Sequence, residues 1–68
     1  MNIQIILNGE PFSLSDGDTV GHLVQQLGLH NRRIAVELNH DIVLRSQYAE
    51  TRLQTEDRVE IVHAIGGG

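Results

Sequence analysis

The stretch Ile3-Gln4-Ile5-Ile6-Leu7-Asn8-Gly9-Glu10-Pro11-Phe12-Ser13-Leu14 decides the fold. Two apolar-rich runs flank Asn8-Gly9, the strongest two-residue signal for a β-hairpin, because a type I′ turn needs positive φ at both central positions. A turn of that length fixes the register. Leu7 faces Glu10, Ile5 faces Phe12 and Ile3 faces Leu14, so Ile3, Ile5, Leu7, Phe12 and Leu14 share one face of a sheet. That apolar face needs a cover.

The following segment supplies it. Thr19 stands as an N-cap, and Val20, Leu23, Val24 and Leu27 recur at i, i+3, i+4 and i+7, the spacing of a helix with one apolar stripe. Gly28 ends the helix and Leu29 follows as its C-terminal hydrophobic contact. The helix start reads as weak, since Gly21 has low helix propensity and His22 stands where a capping box carries Glu or Gln. After Asn31-Arg32-Arg33, the alternation of Ile34-Ala35-Val36-Glu37-Leu38 predicts a strand. A turn at Asn39-His40 and a short strand at Ile42-Val43 come next. Ser46 to Asp57 reads mostly as loop, with a helical turn near Tyr48. Arg58 to His63 is the last strand, with Val59 and Ile61 inward and Glu60 and Val62 outward.

The order ββαββ plus a final β, with one helix across one face of a mixed sheet, is the α+β arrangement called the β-grasp, or ubiquitin-like, fold. Four to five strands are expected, the first and last central and parallel. The expected division is a β-grasp domain over residues 1–65 and a flexible C-terminal tail over residues 66–68.

Composition narrows the function. A chain of 68 residues makes one domain and buries only about three fifths of its unfolded surface, which leaves little room for a large active-site cavity. Nine acidic residues against five basic ones give a net charge of −4. That balance disfavours nucleic acid and anionic membranes and favours a basic partner. The chain has no cysteine, which removes disulfides, thiolate metal sites and thiol catalysis. It also has no lysine. Met1-Asn2-Ile3-Gln4 shows neither a basic region nor a long apolar run, so no signal peptide or membrane span is expected, and the cytoplasm is the expected compartment.

A search for catalytic groups returns little. His22, His30, His40 and His63 lack metal-ligand spacing, and no Asp or Glu pair has a separation suited to acid-base work. Ser13, Ser15 and Ser46 lack a nucleophile-elbow context, and the glycines are too scattered for a phosphate loop. No catalytic residue and no metal site are expected, and the chain is read as not an enzyme.

The C-terminal run offers chemistry of another kind. Val59 to Ile65 leads into Gly66-Gly67-Gly68, three residues that bury almost nothing and lose the most backbone entropy on ordering, so their use is expected to lie outside folding. They present an α-carboxylate on a stalk thin enough for a channel that admits no Cβ. A carboxylate is a poor electrophile and must be activated by something with a site of its own. ATP can do this by forming an acyl-adenylate, and a sulfur nucleophile can displace the nucleotide to leave a thiocarboxylate, which makes the protein a group carrier. The absence of cysteine and lysine fits, because no side-chain thiol or amine is present to attack the activated end; composition bias explains it equally well. On the open sheet face Ile6, Ala35 and Val62 point away from the helix among Gln4, Glu37 and Glu60. With Ile65 near the tail, Ile6 and Val62 form the expected partner-docking patch.

These features together resemble the sulfur carrier proteins of thiamine biosynthesis, the ThiS family. The resemblance spans essentially the whole chain through Asn8-Gly9-Glu10, Thr19-Val20 with Leu23, Leu27-Gly28, Ala35-Val36, Asn39, Ile42-Val43, Arg45 and above all the run from Asp57 to Gly68. It implies that Gly68 is adenylated by an activating enzyme using ATP, so that no cofactor is bound stably by the carrier. A sulfur-donor enzyme then supplies sulfur, and thiazole synthase takes it from the thiocarboxylate. Gly21-His22 where the family often has Ala-Glu, Leu44 where proline is common, and Glu56 where glycine usually precedes the aspartate are departures that bear on local loop geometry. A molybdopterin synthase small subunit and a ubiquitin-like protein modifier share the fold and ending and remain alternatives.

Overall fold

A computed structural model describes residues 1–63; Ile65, Gly66, Gly67 and Gly68 lie outside the described residues. Five strands and one helix follow in the order β1 (Asn2–Leu7), β2 (Glu10–Ser15), α1 (Val20–Gln26), β3 (Ile34–Leu38), β4 (Asp41–Val43) and β5 (Arg58–His63). The sheet order is β2-β1-β5-β3-β4. β5 is therefore central, parallel to β1 and antiparallel to β3.

The first hairpin has the register that its two-residue turn demands, pairing Ile3 with Leu14, Ile5 with Phe12 and Leu7 with Glu10. Asn8 and Gly9 sit at φ 50° and 85°, the left-handed pair that a type I′ turn requires. Asn39 and His40 repeat this at φ 52° and 75° between β3 and β4.

The helix start differs from the reading of it as weak. Thr19 Oγ1 accepts the His22 backbone N–H at 3.2 Å, and His22 Nδ1 accepts the Thr19 N–H at 3.1 Å. His22 thus completes a capping box, because an imidazole nitrogen lone pair reaches back as a Glu carboxylate would; the bond assigns the proton to Nε2. The next two helical N–H groups donate to the loop: Val20 to the Thr51 carbonyl at 2.9 Å and Gly21 to that of Tyr48 at 3.0 Å. A Cβ on Gly21 would stand 3.4 Å from the Tyr48 oxygen, an ordinary van der Waals contact, so the loop bonds that satisfy these orphan donors do not themselves require glycine. At the other end Gly28, at φ 74°, donates to Gln25, and Leu29 donates to Val24. These are the two bonds of a Schellman motif.

The core is aliphatic. Val20, Leu23 and Val24 of α1 pack with Ile5, Leu14, Val36, Val59 and Ile61 of the sheet, while Ile3, Phe12 and Leu27 are partly buried against them. Val43 and Leu53 complete the buried set, and neither stood among the core residues expected from sequence. Leu53 enters from the 46–57 stretch, which begins within a 3-10 turn at Arg45–Gln47 and is tied to the helix start by Leu53 N–H donating to the Asp18 carbonyl at 2.9 Å. Glu56 adopts φ 75°, a left-handed conformation that glycine takes without penalty and a residue with a Cβ does not.

Candidate functional site

The site is built around β5, the strand that leads to the C-terminal glycines. β3 pairs with it from Leu38↔Val59 to Ile34↔His63, but β1 pairs only at Ile6↔Arg58 and Leu7↔Val59. β1 ends there because the chain turns into β2. Past that point the β1 side of β5 is held by Asn8: its backbone N–H donates to the Val59 carbonyl at 2.9 Å. Its side-chain Oδ1 accepts the Ile61 N–H at 2.8 Å, and its Nδ2 donates to the Ile61 carbonyl at 3.3 Å. A side-chain amide carries the same donor and acceptor as a peptide, so Asn8 extends the ladder by one position without a strand.

Asn39 makes a matching attachment at the other end of β5. Its N–H donates to the Arg58 carbonyl at 2.7 Å, its Oδ1 accepts the Arg58 N–H at 2.9 Å, and its Nδ2 donates to Asp57 Oδ1 at 3.1 Å. Each hairpin turn thus lends one left-handed asparagine to the tail-bearing strand. Asn39 grips where the strand enters the sheet, and Asn8 grips where it leaves.

The open face is arranged in rows across the strands. Arg58 lies beside Ile6, Glu60 beside Glu37, and Val62 beside Ala35. Ile42 continues the Glu60–Glu37 row on β4, and Leu44, extended just after β4, is the next outward position after Ile42 by alternation. Ile6 and Val62 both lie on this face as the alternation requires, but the structure does not bring them together. Four residue steps along β5, from Arg58 to Val62, separate them by roughly 13 Å. The correction has a simple cause: β1 and β5 are parallel and offset, so the end of β1 meets the start of β5. Ile6 is half-buried, whereas Val62, Leu44 and Ile42 are exposed at 58%, 58% and 67%. The exposed apolar residues of this face are therefore Val62, Ala35, Leu44 and Ile42. Sequence reading missed Ile42 and Leu44, although Val43 pointing inward would have placed both outward. Ile65, the third expected docking residue, and the expected modification site Gly68 with Gly66 and Gly67 lie outside the described residues.

Glu37 and Glu60 stand side by side on this face. A like-charge pair across strands destabilises a sheet, and it presents a compact negative site to a cationic partner. Of the histidines, His22 is occupied in the helix cap, and His30, His40 and His63 are exposed. Among the described residues no group of three His, Asp or Glu side chains is placed to hold a metal ion. Two surface hollows among the described residues, of about 120 and 240 Å³, are lined by Asn2, β2 and Gln26 in one case and by Asp16, Gly17 and the 52–54 loop in the other, and neither touches β5.

Residues 5–68 match the model of the ThiS family. Over 66 residues the chain is 42% identical to a thiazole synthase of Magnetococcus marinus, a match that covers 97% of this chain and 20% of that protein. The chain spans about a fifth of the length of the thiazole synthases it matches. It is 36% identical to the sulfur carrier protein ThiS of Bacillus subtilis over 63 residues, covering 91% of this chain and 96% of that one. The crystal structure of the thiamine biosynthesis protein ThiS from Geobacter metallireducens superposes with a TM-score of 0.84 at 26% identity, covering 97% of this chain and 100% of that one.

Proposed function

The chain belongs to the ThiS family, and from that premise we propose that it is a sulfur carrier of thiamine biosynthesis whose Gly68 carboxylate becomes a thiocarboxylate. One observation carries this reading: the span matched by the family includes β5 and extends to Gly68. In the proposed cycle the open face docks on an activating enzyme. A carboxylate oxygen of Gly68 attacks the α-phosphorus of ATP, pyrophosphate leaves, and the product is an acyl-adenylate. Hydrosulfide released by a donor enzyme then attacks the carbonyl carbon, AMP leaves with the acyl C–O bond broken, and loss of the thiol proton leaves the thiocarboxylate. Thiazole synthase consumes the sulfur, a partner reading supported by thiazole synthases that contain a segment similar to this chain. ATP is held by the partner, and the carrier itself is a co-substrate and no enzyme, acting in the cytoplasm.

The carrier's own contribution is geometric. Ala64 to Gly68 reaches roughly 15 Å when extended, enough to place the carboxylate in a partner's buried site while the domain stays outside. The test is the mass of the protein after incubation with ATP, the activating enzyme and the sulfur donor. Exchange of one terminal oxygen for sulfur is expected in the native protein. Gly67→Val is expected to keep the native melting temperature but lose most of the product, because a branched side chain narrows the backbone and clashes in a close channel. Efficient conversion of Gly67→Val would remove the channel from the mechanism, and no product from the native protein with competent partners would end the carrier reading.

A further inference from the structure

We infer that Asn8 is a positioning residue for the reaction at the chain's terminus, acting through Ile61; the inference rests on the carrier reading above. The distal half of β5 is the last described part of the chain before the reacting end, and it is supported unequally. Its β3 side is paired as far as His63. On its β1 side strand pairing stops at Val59, and the two side-chain bonds of Asn8 are what fix Ile61. These bonds join residues 53 apart in sequence, so they tie the departure of the tail to the first hairpin and to nothing local.

A terminus that must meet a reacting atom inside another protein is sensitive to how its stalk is launched. Seven residue steps run from Ile61 to Gly68, a reach of roughly 24 Å at full extension, so once a partner holds that segment extended, a displacement at Ile61 is carried toward the reacting end. Misplacement of a reacting group by about 1 Å is enough to cost on the order of a hundredfold in rate. Docking is a separate matter. The open-face side chains Val62, Ala35, Glu60 and Glu37 are set by pairing with β3, so loosening the Asn8 side should leave the encounter largely intact and impair the step that follows.

Asn39 provides the control. It also makes three bonds, two to Arg58 and one to Asp57 just before the strand, but at the end of β5 where β1 already pairs with it at Ile6↔Arg58. Glycine at either position adopts positive φ freely and keeps a turn-forming pair, so Asn8→Gly and Asn39→Gly preserve the hairpins while deleting the side-chain amide. The experiment measures ATP-dependent thiocarboxylate formation by mass spectrometry against carrier concentration, at a temperature where circular dichroism shows every variant folded. Amide exchange at Ile61 is followed in parallel. Asn8→Gly is expected to lower kcat about tenfold or more with KM within about twofold, and to speed exchange at Ile61. Asn39→Gly is expected to lower the melting temperature at least as much and leave kcat within about twofold.

Wild-type kcat in Asn8→Gly overturns the inference, as does a parallel loss of kcat in both variants that tracks their stability, which would make Asn8 structural. A native protein that yields no product with competent partners fails the carrier reading and the inference with it, an outcome distinct from native turnover that Asn8→Gly leaves untouched.

Discussion

On the face of the sheet that meets the helix, Ile5, Leu14, Val36, Val59 and Ile61 are exposed by 7% or less, while on the opposite face Val62 and Ile42 stand at 58% and 67%. The contrast is sharpest between Ile61 and Val62, adjacent in sequence and alike in chemistry. Burial of one such side chain contributes about 1.5 to 3 kcal/mol, whereas an apolar side chain left in water contributes almost nothing of that kind. The covered face therefore carries stability. The open face keeps its apolar residues and a like-charge glutamate pair without that return, which points to a use outside folding.

The largest expected effect tests the covered face. Ile5→Ala or Leu23→Ala, both at fully buried positions, should lower the unfolding free energy by about 2 to 5 kcal/mol, read from a denaturant titration. A loss below about 0.5 kcal/mol, the range of ordinary surface changes, would break the distinction between the faces. Next comes Val62→Asp, expected to unfold close to native but to bind the activating enzyme about tenfold more weakly, or about 1.4 kcal/mol. Ile6→Asp sharpens the same point, because Ile6 is half-buried beside Arg58 and away from the Val62 row. It should cost more stability than Val62→Asp and less affinity, as calorimetry on both variants would show. The smallest effect belongs to Glu60→Gln, which relieves the Glu37 contact and should raise stability by about 0.2 to 1 kcal/mol. That gain should shrink at high salt, where the repulsion is screened.

Much of the covered face was legible in the chain. The Asn8-Gly9 turn forces the β1–β2 register, and Val20, Leu23 and Val24 mark the helix stripe by period. His22 was misread because the capping-box pattern is usually written with Glu or Gln, although an imidazole lone pair makes the same bond. Leu53 was not assigned because a single apolar residue between Arg52 and Gln54 has no period; it is buried only because its loop folds back onto the helix start. On the open face, alternation placed Ile6 and Val62 on the correct side but carried no information on their separation, which depends on the stagger of two strands more than fifty residues apart.

By itself the sequence determined the elements, the first hairpin's register, and the inward and outward residues of β1, β2, β3 and β5. These follow from turn dihedrals, side-chain alternation and helical period, which act over a few residues. The central, parallel placing of the first and last strands was expected, but only the tertiary structure decided the offset of β5 against β1, that Asn8 and Asn39 seize β5 at its two ends, and that the exposed apolar patch gathers around Val62, Leu44 and Ile42 and excludes Ile6. Those outcomes depend on where distant backbone groups find hydrogen-bond partners, and a parallel pairing across an intervening helix leaves no local mark of its offset on either strand.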